Sequence, residues 1–179
     1  MRTWVAALAA VASLMAASEA AAETRCGAAT HMRFGETRAY FRDVLGACRP
    51  DGYCSAVVAL RDDGGAQYRQ QLRVARPTAG APYQVEFVAV SPSPQGDGTP
   101  MAIAFGAQTI TLSGKVNQTQ SVNEYRVTDA GVSETVVILL RKSREARWTY
   151  QSNVGPETAT FPLRGMTAAL KWIDCLSVQ

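Results

Sequence analysis

The chain is short of the side chains that usually do chemistry. Its 179 residues hold one histidine, His31, and four cysteines. It contains no Cys-x-x-Cys, no Gly-x-Ser-x-Gly, no P-loop and no Gly-x-Gly-x-x-Gly. The first absence, with a single imidazole, speaks against zinc. The second removes the usual serine-hydrolase elbow. The last two leave nucleotide binding without a motif, and no cofactor or metal is expected. Lysine is scarce, with three against fifteen arginines, and the net charge is only +3. That is far from the dense basic footprint of a nucleic-acid binder, so no nucleic acid is expected as partner. What the chain does have is globular composition, 47% hydrophobic and 18% charged, which excludes a disordered polymer.

Apolar runs are also scarce, with one exception at the start. Arg2 precedes an apolar run, Trp4 to Ala17, and small residues follow up to Ala20-Ala21-Ala22. This is the pattern of a secretory signal peptide over residues 1–22, with an Ala-x-Ala cleavage site before Glu23. The competing reading, a membrane anchor, needs about 20 apolar residues, and the run is shorter. Residues 23–179 are then expected as one exported domain, periplasmic or secreted, with no membrane span left after cleavage. A chain near 150 residues buries roughly two-thirds of its unfolded surface, enough for its own core.

Export changes the reading of the cysteines. Four cysteines in an exported chain imply disulfides, and three pairings are open. Cys48–Cys54 and Cys26–Cys175 are the favoured pair. In the segment from Cys48 to Cys54, Pro50 and Asp51 suit a type I turn and Gly52 suits the left-handed position of a bulge. Cys48 then lies across from Cys54, within disulfide range. Paired thiols also leave no cysteine nucleophile.

Along the chain, residues 39–48 and 53–61 read as the two arms of that hairpin. Residues 67–76 alternate, with Tyr68, Gln70, Leu72 and Val74 on one face and Arg69, Gln71 and Arg73 on the other. Residues 83–90 return as a strand that brings Arg73 opposite Glu86. Residues 91–100, with three prolines and two glycines, are a loop. Residues 101–105, 108–113 and 124–127 resume strand character. Asp129 or Ser133 caps a helix through Thr135–Lys142, although that β-branched run also fits a strand. Residues 146–152 and 158–163 read as strands. Met166 to Cys175 reads as a helix that buries Met166, Ala169, Leu170 and Ile173 and turns Lys171 and Asp174 outward. The pattern predicts an α+β fold, mainly antiparallel β, as a sandwich or partly open barrel with one or two short helices in the C-terminal half.

Few residues stand out as functional. His31 has no accompanying nucleophile motif. Asp62, Asp63 and Asp97 sit in turns, where aspartate favours local backbone bonds, and their spacing supports no acid pair. Asn117-Gln118-Thr119 matches a glycosylation sequon, but the Ala- and Arg-rich signal points to a bacterial source. Trp148 and Tyr150 read as core, with an exposed sugar-stacking platform as the alternative. Arg141, Lys142, Arg144 and Arg147 form the densest local charge and are the candidate contact for a protein or a polyanionic envelope component. The bland reading of that run is a solvated helix end.

Two stretches carry a resemblance. Tyr40-Phe41-Arg42-Asp43-Val44-Leu45-Gly46-Ala47-Cys48, followed by Cys54, is similar to an aromatic–Asp–Trp–x–x–x–Cys opening in certain proteobacterial periplasmic proteins, with Val44 where those proteins have Trp. Thr160-Phe161-Pro162-Leu163-Arg164-Gly165-Met166-Thr167-Ala168-Ala169-Leu170-Lys171-Trp172-Ile173-Asp174 resembles the closing motif of the invasion-associated locus B family and of a related uncharacterised periplasmic family. Val136–Lys142 resembles the helix those families place before their last strands. The resemblance implies a secreted, mainly β domain with disulfides and no known catalytic residues. Members of the first family are implicated in host-cell invasion.

The function expected from all this is a non-enzymatic exported protein that binds another macromolecule, its face including Arg141, Lys142, Arg144 and Arg147. The alternative is an inhibitor of a periplasmic or host hydrolase, such as a lysozyme, with loop 91–100 as the plug. An enzyme is the third reading and needs a concave pocket with converging polar groups.

Overall fold

The computed structural model describes residues 23–61, 68–93, 99–119 and 123–178. The expected signal peptide, Asp62, Asp63, Asp97 and the middle of loop 91–100 lie outside them. The chain runs β1 (Glu23–Arg25), β2 (Ala28–Arg33), β3 (Glu36–Phe41), β4 (Val44–Cys48), β5 (Cys54–Arg61), β6 (Tyr68–Arg76), β7 (Gln84–Ala89), β8 (Met101–Phe105), β9 (Gln108–Thr111), β10 (Val116–Gln118), β11 (Glu124–Val127), α1 (Ala130–Lys142), β12 (Glu145–Ser152), β13 (Gly155–Pro162) and α2 (Met166–Leu176). Nine strands form one antiparallel sheet in the order β1-β2-β3-β4-β5-β6-β7-β11-β10, and four form a second in the order β13-β12-β8-β9. The expected sandwich with two helices in the C-terminal half is what the chain builds, and its sheets do not close into a barrel. Among the described residues no helix is long and apolar enough to cross a membrane.

Alternation along the strands decides what lies between the layers. Cys54, Ala56 and Val58 of β5 and Leu72 and Val74 of β6 point inward, as do Val85, Phe87 and Ala89 of β7. The small sheet meets them through Trp148, which stacks on Phe87 with ring centroids 4.9 Å apart, and Tyr150 stacks on Trp148 in turn. Both aromatics are buried, so the core reading holds and the platform reading does not. Helix α2 lies across β3, β4 and β5, and α1 packs on β7 and β11. The inner face of the large sheet is therefore shared between the small sheet and the helices. Among the described residues no layer covers the outward face of β3 to β6.

Both disulfides form in the favoured pairing, Cys26–Cys175 and Cys48–Cys54. The Cys48 hairpin has the expected bulge: Gly52 is left-handed at φ +87° and the Arg49 N–H donates to the Tyr53 carbonyl at 2.8 Å. Arg73 and Glu86 pair directly across β6 and β7.

Two expectations are corrected, one gap is filled and one choice is settled. The arm 39–48 is not one strand, because a tight turn at Arg42 (φ +59°) splits it into β3 and β4. Residues 23–38, unassigned from the sequence, form β1, β2 and the start of β3. Of the two caps the sequence offers, Asp129 is the one used: helix α1 starts at Ala130, and the Asp129 carboxylate accepts from the Val132 N–H at 3.0 Å. The β-branched run is helical there because Val136, Val137 and Leu140 share one buried stripe. Asp174 does not turn outward. Its Oδ1 accepts from Arg76 Nε at 2.8 Å and from the Tyr83 hydroxyl, and its Oδ2 lies 3.5 Å from Arg141 Nη2. Burial opposes ionisation of Asp174, but the Tyr83 and Arg76 hydrogen bonds outweigh it and hold its carboxyl below the usual range.

Candidate functional site: an arginine–aromatic trough

The uncovered outward face of β3 to β6 is concave and encloses a volume of about 790 Å³. Its shape follows from side-chain length. The middle strands β4 and β5 present Leu45, Ala47, Ser55, Val57 and Ala59, which make a low floor. The flanking strands present Arg38 and Tyr40 on one side and Gln71 and Arg73 on the other, which make the walls. Among the described residues, six arginines and four aromatic rings line the trough, against two carboxylates, Glu36 and Asp43.

The ends of the trough are hairpin tips that hold arginine on an aromatic face. At one end Phe34 and Gly35 both have positive φ, as a two-residue hairpin turn requires. This turn leaves Phe34 80% exposed, with the Arg33 and Arg38 guanidinium carbons 4.9 and 5.4 Å from its ring centre. Nearby, Arg49 lies 4.3 Å over Tyr53. At the other end Arg61 lies 5.7 Å over Tyr68. The alternation places Tyr68 with the core residues, and the structure reverses this. The register shifts between Leu60 and Arg61, so Arg69 becomes an extra residue and Tyr68 turns out into the trough.

The arginines differ in how they are held. Arg38 is anchored by Glu36, with Nε 2.9 Å from Oε2. Arg73 reaches Glu86 at 3.0 Å and Glu124 at 3.2 Å. Among the described residues, Arg33, Arg42 and Arg61 have no carboxylate within ion-pair distance. Glu86 is 1% exposed yet sits on the trough side of β7, roofed by Arg73 and by Arg126 at 2.8 Å. Replacing Arg73 by methionine is expected to destabilise the protein by about 3 kcal/mol, because Glu86 stays buried with half its compensation gone. Arg126 holds the other Glu86 oxygen from a more exposed side chain, 44% against 24%, so water replaces part of its role and Arg126→Met is expected to lose only about 1–2 kcal/mol. Urea unfolding of the two variants measures the contrast. Burial pushes the Tyr53 phenol up, so it stays protonated as a donor at neutral pH.

Of the residues singled out from sequence, none of Arg141, Lys142, Arg144 and Arg147 lines the trough. Arg141 is drawn inward, donating to the Tyr83 hydroxyl at 2.9 Å. Lys142, Arg144 and Arg147 are exposed. His31 stacks on Tyr40 at 5.5 Å beside the trough. Among the described residues no cluster of three His, Cys, Asp or Glu side chains could hold a metal ion. The trough was missed because its arginines come from five separate stretches of chain. The available signal is the outward position of each in its strand, Arg38 with Tyr40 and Arg73 with Gln71, and it gains meaning only once the strands are paired.

The two family-like stretches meet on the inner side of the same sheet. Arg164 makes a two-pronged ion pair with Asp43, both contacts 2.8 Å, and its carbonyl accepts from the Asp43 N–H at 3.1 Å. The hydrogen bonds from Arg164 hold the Asp43 carboxyl below its usual range. Trp172 lies on Gly46 so closely that a Cβ there would stand 2.7 Å from its ring. These motifs therefore form a structural joint.

No family model matches the chain, and no curated protein matches it. Among solved structures it is similar to invasion associated protein B from Bartonella henselae, with a TM-score of 0.59 and 13% identity over 79% of this chain and 99% of that one. At that identity the likeness is one of architecture, and it agrees with the resemblance read in the Thr160–Asp174 stretch: this chain has the fold of invasion associated protein B.

Proposed function

We propose that this chain is an exported, non-catalytic bacterial protein that binds an acidic macromolecule of the envelope or of a host surface through the arginine–aromatic trough. One observation carries the reading: six arginines, three of them without an acidic partner among the described residues, converge on one uncovered concave face. The two disulfides support an oxidising compartment, and the fold shared with invasion associated protein B supports an envelope or host-facing role. A binding role fits the trough better than catalysis does. Guanidinium groups do not exchange protons near neutrality, and Asp43 is held ionised by Arg164.

The test compares two basic surfaces on one panel of immobilised polyanions: poly-glutamate, polygalacturonate and phosphatidylglycerol vesicles. The combination Arg33→Glu, Arg42→Glu and Arg61→Glu is expected to weaken binding to whichever polymer the wild type retains by about a hundredfold, at about 1 kcal/mol for each lost charge contact. The combination Lys142→Glu, Arg144→Glu and Arg147→Glu is expected to leave it nearly unchanged. Loss confined to the second combination moves the site to the helix end and overturns the trough. Failure of the wild type to bind any of the three overturns the function.

A further inference from the structure

Resting on that reading, we infer that the occupant of the trough is a linear carboxylated polysaccharide laid along β4 and β5. The first argument is shape. The floor runs from Tyr53 to Arg61, eight steps of about 3.3 Å, so the trough is about 26 Å long. That suits an extended chain of several sugar units better than a compact headgroup. A concave sheet face also cannot lie flat on a bilayer.

The second argument is the mixture of groups. Guanidinium forks match carboxylates, and those without an acidic partner among the described residues stand at both ends of the trough. Between them lie a neutral hydroxyl and an amide, those of Tyr40 and Gln71. A polymer that carries only charges leaves these unused, whereas a polysaccharide brings hydroxyls for them. Exposed Phe34, Tyr40 and Tyr68 offer flat faces to sugar rings.

The third argument excludes the commonest rival. An acidic peptide gains affinity on a sheet by adding a strand to an open edge. Strands β3 to β6 are interior, each paired on both sides, so the trough offers a peptide backbone no edge to pair with. The peptide would have to leave its main chain unpaired against the floor.

The experiment is calorimetric titration of the wild type with oligogalacturonides graded from disaccharide to decasaccharide, with oligoglutamate and oligodeoxythymidylate of matched charge as comparators. Affinity is expected to rise with length and level off once the oligosaccharide spans the trough, and to exceed that of both comparators at least about tenfold. Arg61→Gln, at the far end, is expected to weaken the longest oligosaccharides and leave the shortest unchanged. Tighter binding of oligoglutamate or oligodeoxythymidylate overturns the polysaccharide while leaving an anion-binding trough in place. Affinity that climbs without levelling overturns the span, because it reports charge alone. An absence of binding to all three sets overturns the function with it.

Discussion

Replacing Gly165 by alanine is expected to prevent the protein from folding stably. Gly165 is left-handed, at φ +94°, and precedes α2 directly. A Cβ built there would stand 1.8 Å from the Phe41 carbonyl oxygen and 2.6 Å from its carbon. Those atoms are backbone at the β3–β4 turn, so no rotamer change relieves the clash. The turn cannot retreat easily either, because the Asp43 N–H is bonded to the Arg164 carbonyl next door. Strained φ and backbone overlap together are expected to lose about 4 kcal/mol or more, against a total stability of about 5–15 kcal/mol. Gly46→Ala is the instructive contrast. Its Cβ would meet the Trp172 ring, a side chain, and a loss of about 1–3 kcal/mol is expected from overpacking. Circular dichroism during urea unfolding ranks the two, and a Gly165→Ala protein as stable as the wild type would refute the joint.

Removing the Cys26–Cys175 bond is expected to have the next largest effect. It joins residues 149 apart in sequence, whereas Cys48–Cys54 closes a loop of six. In the chain-entropy account the long link contributes about 5 kcal/mol and the short one about 2 kcal/mol. Cys26→Ser with Cys175→Ser is then expected to lower the melting temperature by about 10–20 °C, and the other pair by less than half as much. The long link is not the sole tether of β1. Trp172 Nε1 donates to the Arg25 carbonyl at 3.0 Å beside it, so β1 stays partly tethered when the bond is cut. Differential scanning calorimetry of the two double variants decides the order, and equal losses would show that loop length does not govern these bonds.

What the sequence let one read follows from how local each signal is. Gln70, Leu72 and Val74 alternate within a few residues, and the Cys48 hairpin carries its turn chemistry inside seven, so both were legible. The helix at Met166 was legible because one stripe of Met166, Ala169, Leu170 and Ile173 is buried on a single partner. Arg42 was not, since an arginine with positive φ leaves no compositional mark. Tyr68 was misplaced because a bulge depends on the partner strand, and Asp174 because its partners Arg76, Tyr83 and Arg141 come from three distant segments. The trough is the extreme case. The Arg141–Arg147 run is conspicuous because its charges are adjacent, while the trough's arginines are assembled only by strand pairing.

That α2 follows in the chain every strand it covers has a consequence for how the protein is made. Synthesis proceeds from the amino end, and β1 to β7 can zip up hairpin by hairpin as they emerge, since each pairs with its neighbour in sequence. The inner side of β3, β4 and β5 then waits without α2, because Trp172, Cys175 and the Gly165 joint all arrive long after those strands. A nascent molecule therefore spends most of its production time as an adhesive half-product. Premature termination anywhere ahead of Met166 would release a species fit for aggregation or for a chaperone, and for nothing else.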